Sequence, residues 1–289
     1  MARVVDSALA VEGGGFVVRR PFVQLDTEVT DPFLLLDEMG PVVYKPGEAI
    51  GAPDHPHRGF ETVTYMLDGG FQHRDSTGGG GVIRAGDTQW MTAGAGLVHS
   101  ELPIEEIMRD GGRVHGLQLW VNLPRTDKLT PPQYQLITAD EVTEFDTDDG
   151  RAHVKLIAGD IGDHHGPGAT HTPITYAHAT LQPRAQLALP WPREFNALVY
   201  VLDGNGVVGP DRTPIAAGQL AVYGDGDSIT VAAGEDEPLV VVLLGGRPIR
   251  EPIAWYGPFV MNTKAEIIQA IDDFESGALG SIPPLASTS

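Results

Sequence analysis

The sequence predicts an all-β protein of two tandem antiparallel β-barrel (jelly-roll) domains followed by one C-terminal helix. Three observations point to this. Short runs rich in β-branched and aromatic residues recur, separated by Gly-, Pro- and Asp-containing turns. Segments of the second half match segments of the first. A helical period is confined to the C-terminal stretch.

Taking the elements in order, residues 16–25 and 33–36 read as strands around the turn-like Thr30-Asp31-Pro32. The Pro- and Gly-rich residues 40–53 follow. Residues 61–67 form a β-branched and aromatic strand that ends at the turn Asp68-Gly69-Gly70, with 71–75 returning. The run Gly78 to Gly81 reads as a hairpin tip, followed by strands at 82–84, 89–91 and 115–122. Roughly seven to nine strands and no helix are expected before residue 125. Residues 124–150 are polar, contain Pro131-Pro132 and run acidic from Asp140 to Asp149. The expected domains are therefore 1–125, a linker at 126–150, and 151–289. Strands resume at 154–158, 175–181, 198–202, 220–223, 228–231 and 239–244.

A closing helix is predicted over 263–276. Thr263 and Glu266 form a capping box. Ile267, Ile271 and Phe274 share a face to pack on a barrel exterior, and Gly277 stops the helix. Residues 279–289 read as a loose tail.

The internal repeat pairs Thr62–Gly70 with Ala197–Asn205, and Arg84–Met91 with Ala216–Tyr223. Extended outward, it sets His55, His57 and Glu61 opposite Pro190, Pro192 and Asn196, and His99 and Glu101 opposite Val231 and Ala233. On this reading the second barrel keeps no metal ligands.

Two histidine pairs stand out. Side chains at i and i+2 share one face of a strand, so His55 and His57 can point one way, as can His99 and Glu101. Brought together in a barrel, three imidazoles and a carboxylate suit Fe, Ni, Cu, Mn or Zn. Glu61 is the rival carboxylate, as ligand, as partner of an imidazole, or as part of a buried network; Glu101 is favoured as ligand. His73 and His115 read as ordinary barrel residues, the alternative being that one of them reaches the pocket to contact a ligand residue or the substrate. Arg58 reads as a structural ion-pair partner, and His164, His165, His171 and His178 as loop or surface residues. Gly94-Ala95-Gly96 has no third glycine and no following helix to make a phosphate loop.

Bulk properties narrow the classes. A formal charge of -20 disfavours direct nucleic-acid contact, and the absence of cysteine excludes thiolate ligands. No apolar run reaches the length of about 18 residues that a membrane helix needs. With no apolar signal core at the N-terminus, a cytoplasmic protein, monomeric and acting on small molecules, is expected.

The stretches Asp54–Val63 (DHPHRGFETV), Gly86–Gly94 (GDTQWMTAG), His115–Asn122 (HGLQLWVN), Arg250-Glu251-Pro252 and Gly257–Thr263 (GPFVMNT) together resemble the pirin family of bicupins along nearly the whole chain. The resemblance implies two cupin domains with Fe(II), or another divalent metal, in the N-terminal one, held by His55, His57, His99 and Glu101. It also implies a quercetin 2,3-dioxygenase-like activity, opening a flavonol ring with O2 and releasing carbon monoxide. Glu101 or Glu61 would then serve as the base. Nuclear members of the family look like redox-responsive transcriptional cofactors, and bacterial ones are linked to metabolic enzymes. The alternative expectation is therefore an iron-dependent binding protein acting on a protein partner without catalysis.

Overall fold

The computed structural model describes residues 2–284. The all-β expectation holds, and the described chain divides into two compact units whose segments interleave. One unit gathers Ala10–Val18, Asp37–Ala139 and the segment from Glu251 onward. The other gathers Arg19–Leu36 and Asp140–Arg250, together with the N-terminal strand Ala2–Asp6.

In the first unit, a seven-stranded sheet runs in the order Gln133–Ile137, Thr88–Thr92, Phe60–Asp68, Gly112–Asn122, Phe33–Tyr44, Phe16–Arg20, Ala8–Glu12. A four-stranded sheet runs Ala52–His57, Leu97–Pro103, Gly70–Asp75, Gly80–Arg84. Met66 from the larger sheet packs with Phe71 and Ile83 from the smaller one in a shared apolar core, so the two sheets enclose one barrel. Strand alternation assigns Thr62, Thr64 and Met66 to that interior and Glu61, Val63 and Tyr65 to the opposite face.

The second unit repeats the plan with a seven-stranded and a four-stranded sheet. Its interior is filled: Leu187, Leu189, Ile229, Val231 and their neighbours form one continuous buried apolar cluster. The strand registers correct the sequence alignment. Val231 pairs with Leu187 and Ile229 with Leu189, as His99 pairs with His55 and Leu97 with His57. Leu187 and Leu189, rather than Pro190 and Pro192, therefore occupy the positions of the first histidine pair. Two residues, 58 and 59, join the strands in the first unit, whereas 191–195 join them in the second, and this longer loop shifts the alignment.

Several elements depart from the sequence reading. Eleven strands precede Leu123 among the described residues, and two short helices, Thr27–Thr30 and Glu105–Asp110, lie in the region expected to have none. The expected linker holds two strands: Gln133–Ile137 pairs with Thr88–Thr92, and Thr143–Asp146 pairs with Ala152–Ala158. The closing helix spans Lys264–Glu275 with the capping box at Thr263 and Glu266 in place. It groups with the first unit instead of the second, because Ile267 and Ala270 pack on Val98, Phe259 and Met261. Phe274 stays exposed. Of the expected loose tail, Leu279 is buried in that same cluster and its carbonyl accepts from the Ser76 hydroxyl; residues 285–289 lie outside the described residues. No helix among the described residues is long and apolar enough to cross a membrane.

Lys128 fastens this C-terminal segment beside the histidine strand. Its buried ammonium donates to Gly59 O, Asn122 Oδ1 and Val260 O at 2.8–2.9 Å, one acceptor for each proton. Gly59 stands at φ +88, and a Cβ there would lie 2.0 Å from Val260 O, so only glycine permits the approach. Replacing Lys128 by Met orphans three buried oxygens and should lower the unfolding free energy in urea by about 2–4 kcal/mol. Burial, opposed by Glu251 and Glu266, lowers Lys128 to about 8 from its ordinary 10.5. Between these values the unfolded chain binds more protons, so the Lys128 contribution to stability rises with pH through that window and is lost as pH falls through about 8. Urea midpoints of the two proteins at pH 8 and pH 10 should show this rise in the wild type and not in Lys128→Met.

Candidate metal centre

The first histidine pair sits on the edge strand of the smaller sheet, where Pro53 and Pro56 remove no ladder hydrogen bond that the fold needs. His55 pairs directly with His99 of the neighbouring strand. The register then slips, so that Glu101 pairs with Ala52, and a bulge re-aims the strand beside the histidines. The three rings gather at centroid distances of 4.7 Å (His55–His57), 4.3 Å (His55–His99) and 4.9 Å (His57–His99). His57 and His99 are buried, and His55 is partly exposed.

Proton accounting shows what these rings present to one another. His55 Nδ1 lies 2.7 Å from Pro53 O, and His57 Nδ1 lies 3.2 Å from Pro258 O. A carbonyl only accepts, so each Nδ1 carries a proton, and in the neutral ring each Nε2 carries a bare lone pair. The two Nε2 atoms lie 3.1 Å apart, so in the neutral rings two lone pairs face each other. His99 Nε2 is buried without any hydrogen-bond partner. Burial, reinforced by the neighbouring histidines, pulls His57 and His99 well below the ordinary imidazole range, so both are neutral near pH 7. Buried neutral nitrogens turned toward one another are costly as they stand and well suited to a divalent cation. The donor set thus fits a metal.

Around these rings lies a network that spacing in the sequence does not reveal. His99 Nδ1 is 3.3 Å from His73 Nδ1, and His73 Nε2 is 3.2 Å from Asp75 Oδ2. Burial would raise the Asp75 carboxyl, but hydrogen bonds from His73, the Thr77 hydroxyl and N–H, and the Gly79 N–H outweigh it and hold the group at about 2. The Gln89 amide reaches both His73 Nδ1 (3.0 Å) and Glu101 Oε1 (2.9 Å). Tyr134, from the segment expected to be linker, stacks on His73 at 5.0 Å. Their roles depend on cross-strand neighbours, which no single segment displays.

The expected site residues divide as follows. His55, His57 and His99 form one group able to hold a cation, and His73, His99 and Glu101 form a second that shares His99. Glu101 Oε1 accepts from Gln89 and from the Thr64 hydroxyl at 2.7 Å. Thr64 has one proton, so its 2.6 Å contact with Gln118 is satisfied by the Gln118 amide N–H rather than its oxygen. Glu61 is not in either group: it is fully buried on the outward face of its strand and accepts from the Thr92 hydroxyl. His115 pairs with the buried Glu38 at 2.9 Å. Arg58 binds Ala95 O and Asp273, tying the 94–96 turn to the closing helix. His164 and His165 are exposed, and His178 lies in the strand Ile174–Leu181.

Two features shape the surroundings. Phe16, Met39, Ala52, Thr64, Phe71 and Glu101 line a cavity of about 20 Å³, room for a single water-sized molecule. On the other flank, Trp120 meets His57 edge-on at 5.1 Å and lies 4.3 Å from Phe60, and the partly exposed Trp255 continues this aromatic wall at 5.8 Å. If the histidine group is the cation site, purified protein should take up about one cobalt(II) per chain. His99→Ala should abolish that uptake and Glu101→Gln should weaken it about 10- to 100-fold, while Glu61→Gln should leave it unchanged; equilibrium dialysis with metal analysis checks all three.

Comparison with known proteins agrees with this architecture. The pirin family model matches residues 15–121, and the model of the pirin C-terminal cupin domain matches residues 176–280. A pirin-like protein of Solanum lycopersicum is 43% identical over 93% of this chain and 89% of its own length. Human pirin is 41% identical over 93% of this chain and 90% of its own. The crystal structure of a quercetin 2,3-dioxygenase from Acinetobacter baumannii superposes with a TM-score of 0.90 at 39% identity, covering 97% of this chain and 98% of that one. Two barrels, a histidine cluster in the first and an apolar interior in the second go with these matches: the chain belongs to the pirin family.

Proposed function

We propose that the first barrel holds one iron(II) ion on His55, His57, His99 and Glu101, and that the protein opens a flavonol-type ring with dioxygen. The observation that carries this reading is the cluster of His55, His57 and His99, with the first two Nε2 atoms 3.1 Å apart, His99 Nε2 buried without a partner, and the Glu101 carboxylate grouped with His99. The likeness to a quercetin 2,3-dioxygenase supplies the substrate class. Other divalent metals of the first transition row suit the same donors.

When bound, the metal supplies Lewis acidity toward an anionic oxygen donor. The remaining work falls to the chain. Glu101, hydrogen-bonded on Oε1 by Thr64 and Gln89, is the carboxylate available to accept the proton of a flavonol hydroxyl. Glu61 faces away and is not given this role. Trp120, backed by the fully buried Phe60, and Trp255 offer flat apolar faces on which a fused aromatic ring can stack. The reaction consumes one O2 per flavonol, cleaves the heterocycle and releases one carbon monoxide.

One observation favours a second reading. The cavity against Glu101 has room only for a water-sized molecule, too small for a three-ring substrate. A metal-dependent binding protein that docks a protein partner needs no larger one. Oxygen uptake by anaerobically Fe(II)-loaded protein on adding quercetin separates the two. The enzyme reading predicts uptake with equimolar carbon monoxide, lost in His99→Ala. Iron-loaded protein that consumes no oxygen would exclude flavonol dioxygenation and favour the binding reading.

A further inference from the structure

The pair Asp75–His73 has no part in the chemistry above, yet its hydrogen bonds end on His99. Both ends of this chain of contacts are anchored. At one end, Asp75 Oδ1 accepts from Thr77 N (2.8 Å), Thr77 Oγ1 (2.6 Å) and Gly79 N (3.0 Å), and Oδ2 faces His73 Nε2. A carboxylate only accepts, so His73 Nε2 carries a proton and His73 Nδ1 is an acceptor. At the other end, the Gln89 group that touches Glu101 Oε1 at 2.9 Å must be its NH2, since an amide oxygen there would face a carboxylate oxygen. The same NH2 meets His73 Nδ1 at 3.0 Å, which independently makes that nitrogen an acceptor. His99 Nδ1, 3.3 Å from the same nitrogen, can approach its lone pair only as an N–H that shares it with the Gln89 N–H, and the neutral His99 ring then leaves Nε2 bare.

We propose that Asp75 and His73 are positioning residues that set the tautomer of His99, and so decide whether its Nε2 offers the metal position a lone pair or a proton. The second half of this statement rests on the metal reading; the first does not. The relay has a specific failure mode. In Asp75→Asn, the amide oxygen is kept on the Thr77 and Gly79 N–H groups, so the NH2 turns to His73 Nε2. That nitrogen must then accept and His73 Nδ1 becomes an N–H, so the Gln89 NH2 gives up that contact and keeps only Glu101 Oε1, and His99 Nδ1 accepts from His73. The His99 proton moves to Nε2 and points at the metal position. Side-chain volume and shape hardly change, so a merely structural ion pair would lose stability without this reversal.

Long-range ¹H–¹⁵N spectra of metal-free protein near pH 7.5 read the tautomers directly, and cobalt(II) titration reads the consequence. The expected result is His99 protonated on Nδ1 in the wild type and on Nε2 in Asp75→Asn, with cobalt affinity lower by about 10- to 100-fold. A comparably destabilised core variant in the other barrel, Val199→Ala, should keep wild-type affinity. Wild-type His99 protonated on Nε2 overturns the proposal without requiring any variant to fold. So does a proton that stays on Nδ1 in Asp75→Asn, or one that moves with no change in affinity. Wild-type protein that takes no cobalt would sink the metal reading alone, and the tautomer spectra would still decide the relay.

Discussion

The first barrel is organised around a repulsion. Three imidazoles whose centroids lie within 5 Å of one another cannot all be charged, and in the neutral rings each Nδ1–H is held by another acceptor, which leaves the facing nitrogens without a proton. Pro53 O, Pro258 O and His73 Nδ1 are those acceptors, each supplied by a different part of the chain. The edge strand with its bulge provides the first, the segment ahead of the closing helix the second, and the hairpin Gly70–Asp75 the third. Fastening the C-terminal segment through Lys128, and the closing helix through Arg58, is thus part of building the cluster, because Pro258 belongs to that segment.

The two barrels show the cost of such a centre by contrast. Where His99 meets His55 in one, Val231 meets Leu187 in the other, and the apolar interior closes without a break. Each of those side chains contributes burial of about 1.5–3 kcal/mol. The first barrel gives up this gain at the same register and holds imidazoles instead, with His99 Nε2 buried and unpartnered, the exchange expected where local stability is traded for a site. The filled copy is the one without the histidines.

Much of this was legible in the sequence, for identifiable reasons. The histidine pairs were visible because i and i+2 share a strand face, and the closing helix because its capping box is a local pattern. Asp75, Gln89, Thr64 and Tyr134 were not visible, since they reach the cluster across strands and each reads as ordinary on its own segment. Glu61 was a plausible rival by sequence distance alone; strand alternation turns it outward, and a four-residue separation carries no such information when a tight turn intervenes. The prolines and acidic residues of segment 124–150 signal a linker, yet half-buried strands within it pair in each unit. The interleaving of the units depends on where the termini dock, which composition does not record.

The central claim is that the His55–His57–His99 cluster is a metal centre and that the second barrel has none. Anomalous diffraction from crystals soaked in cobalt(II) tests it most directly. The account predicts one strong peak among the three Nε2 atoms, close to Glu101, and none in the Leu187–Val231 interior. No peak at the histidines, or one of equal strength in the second barrel, would contradict it.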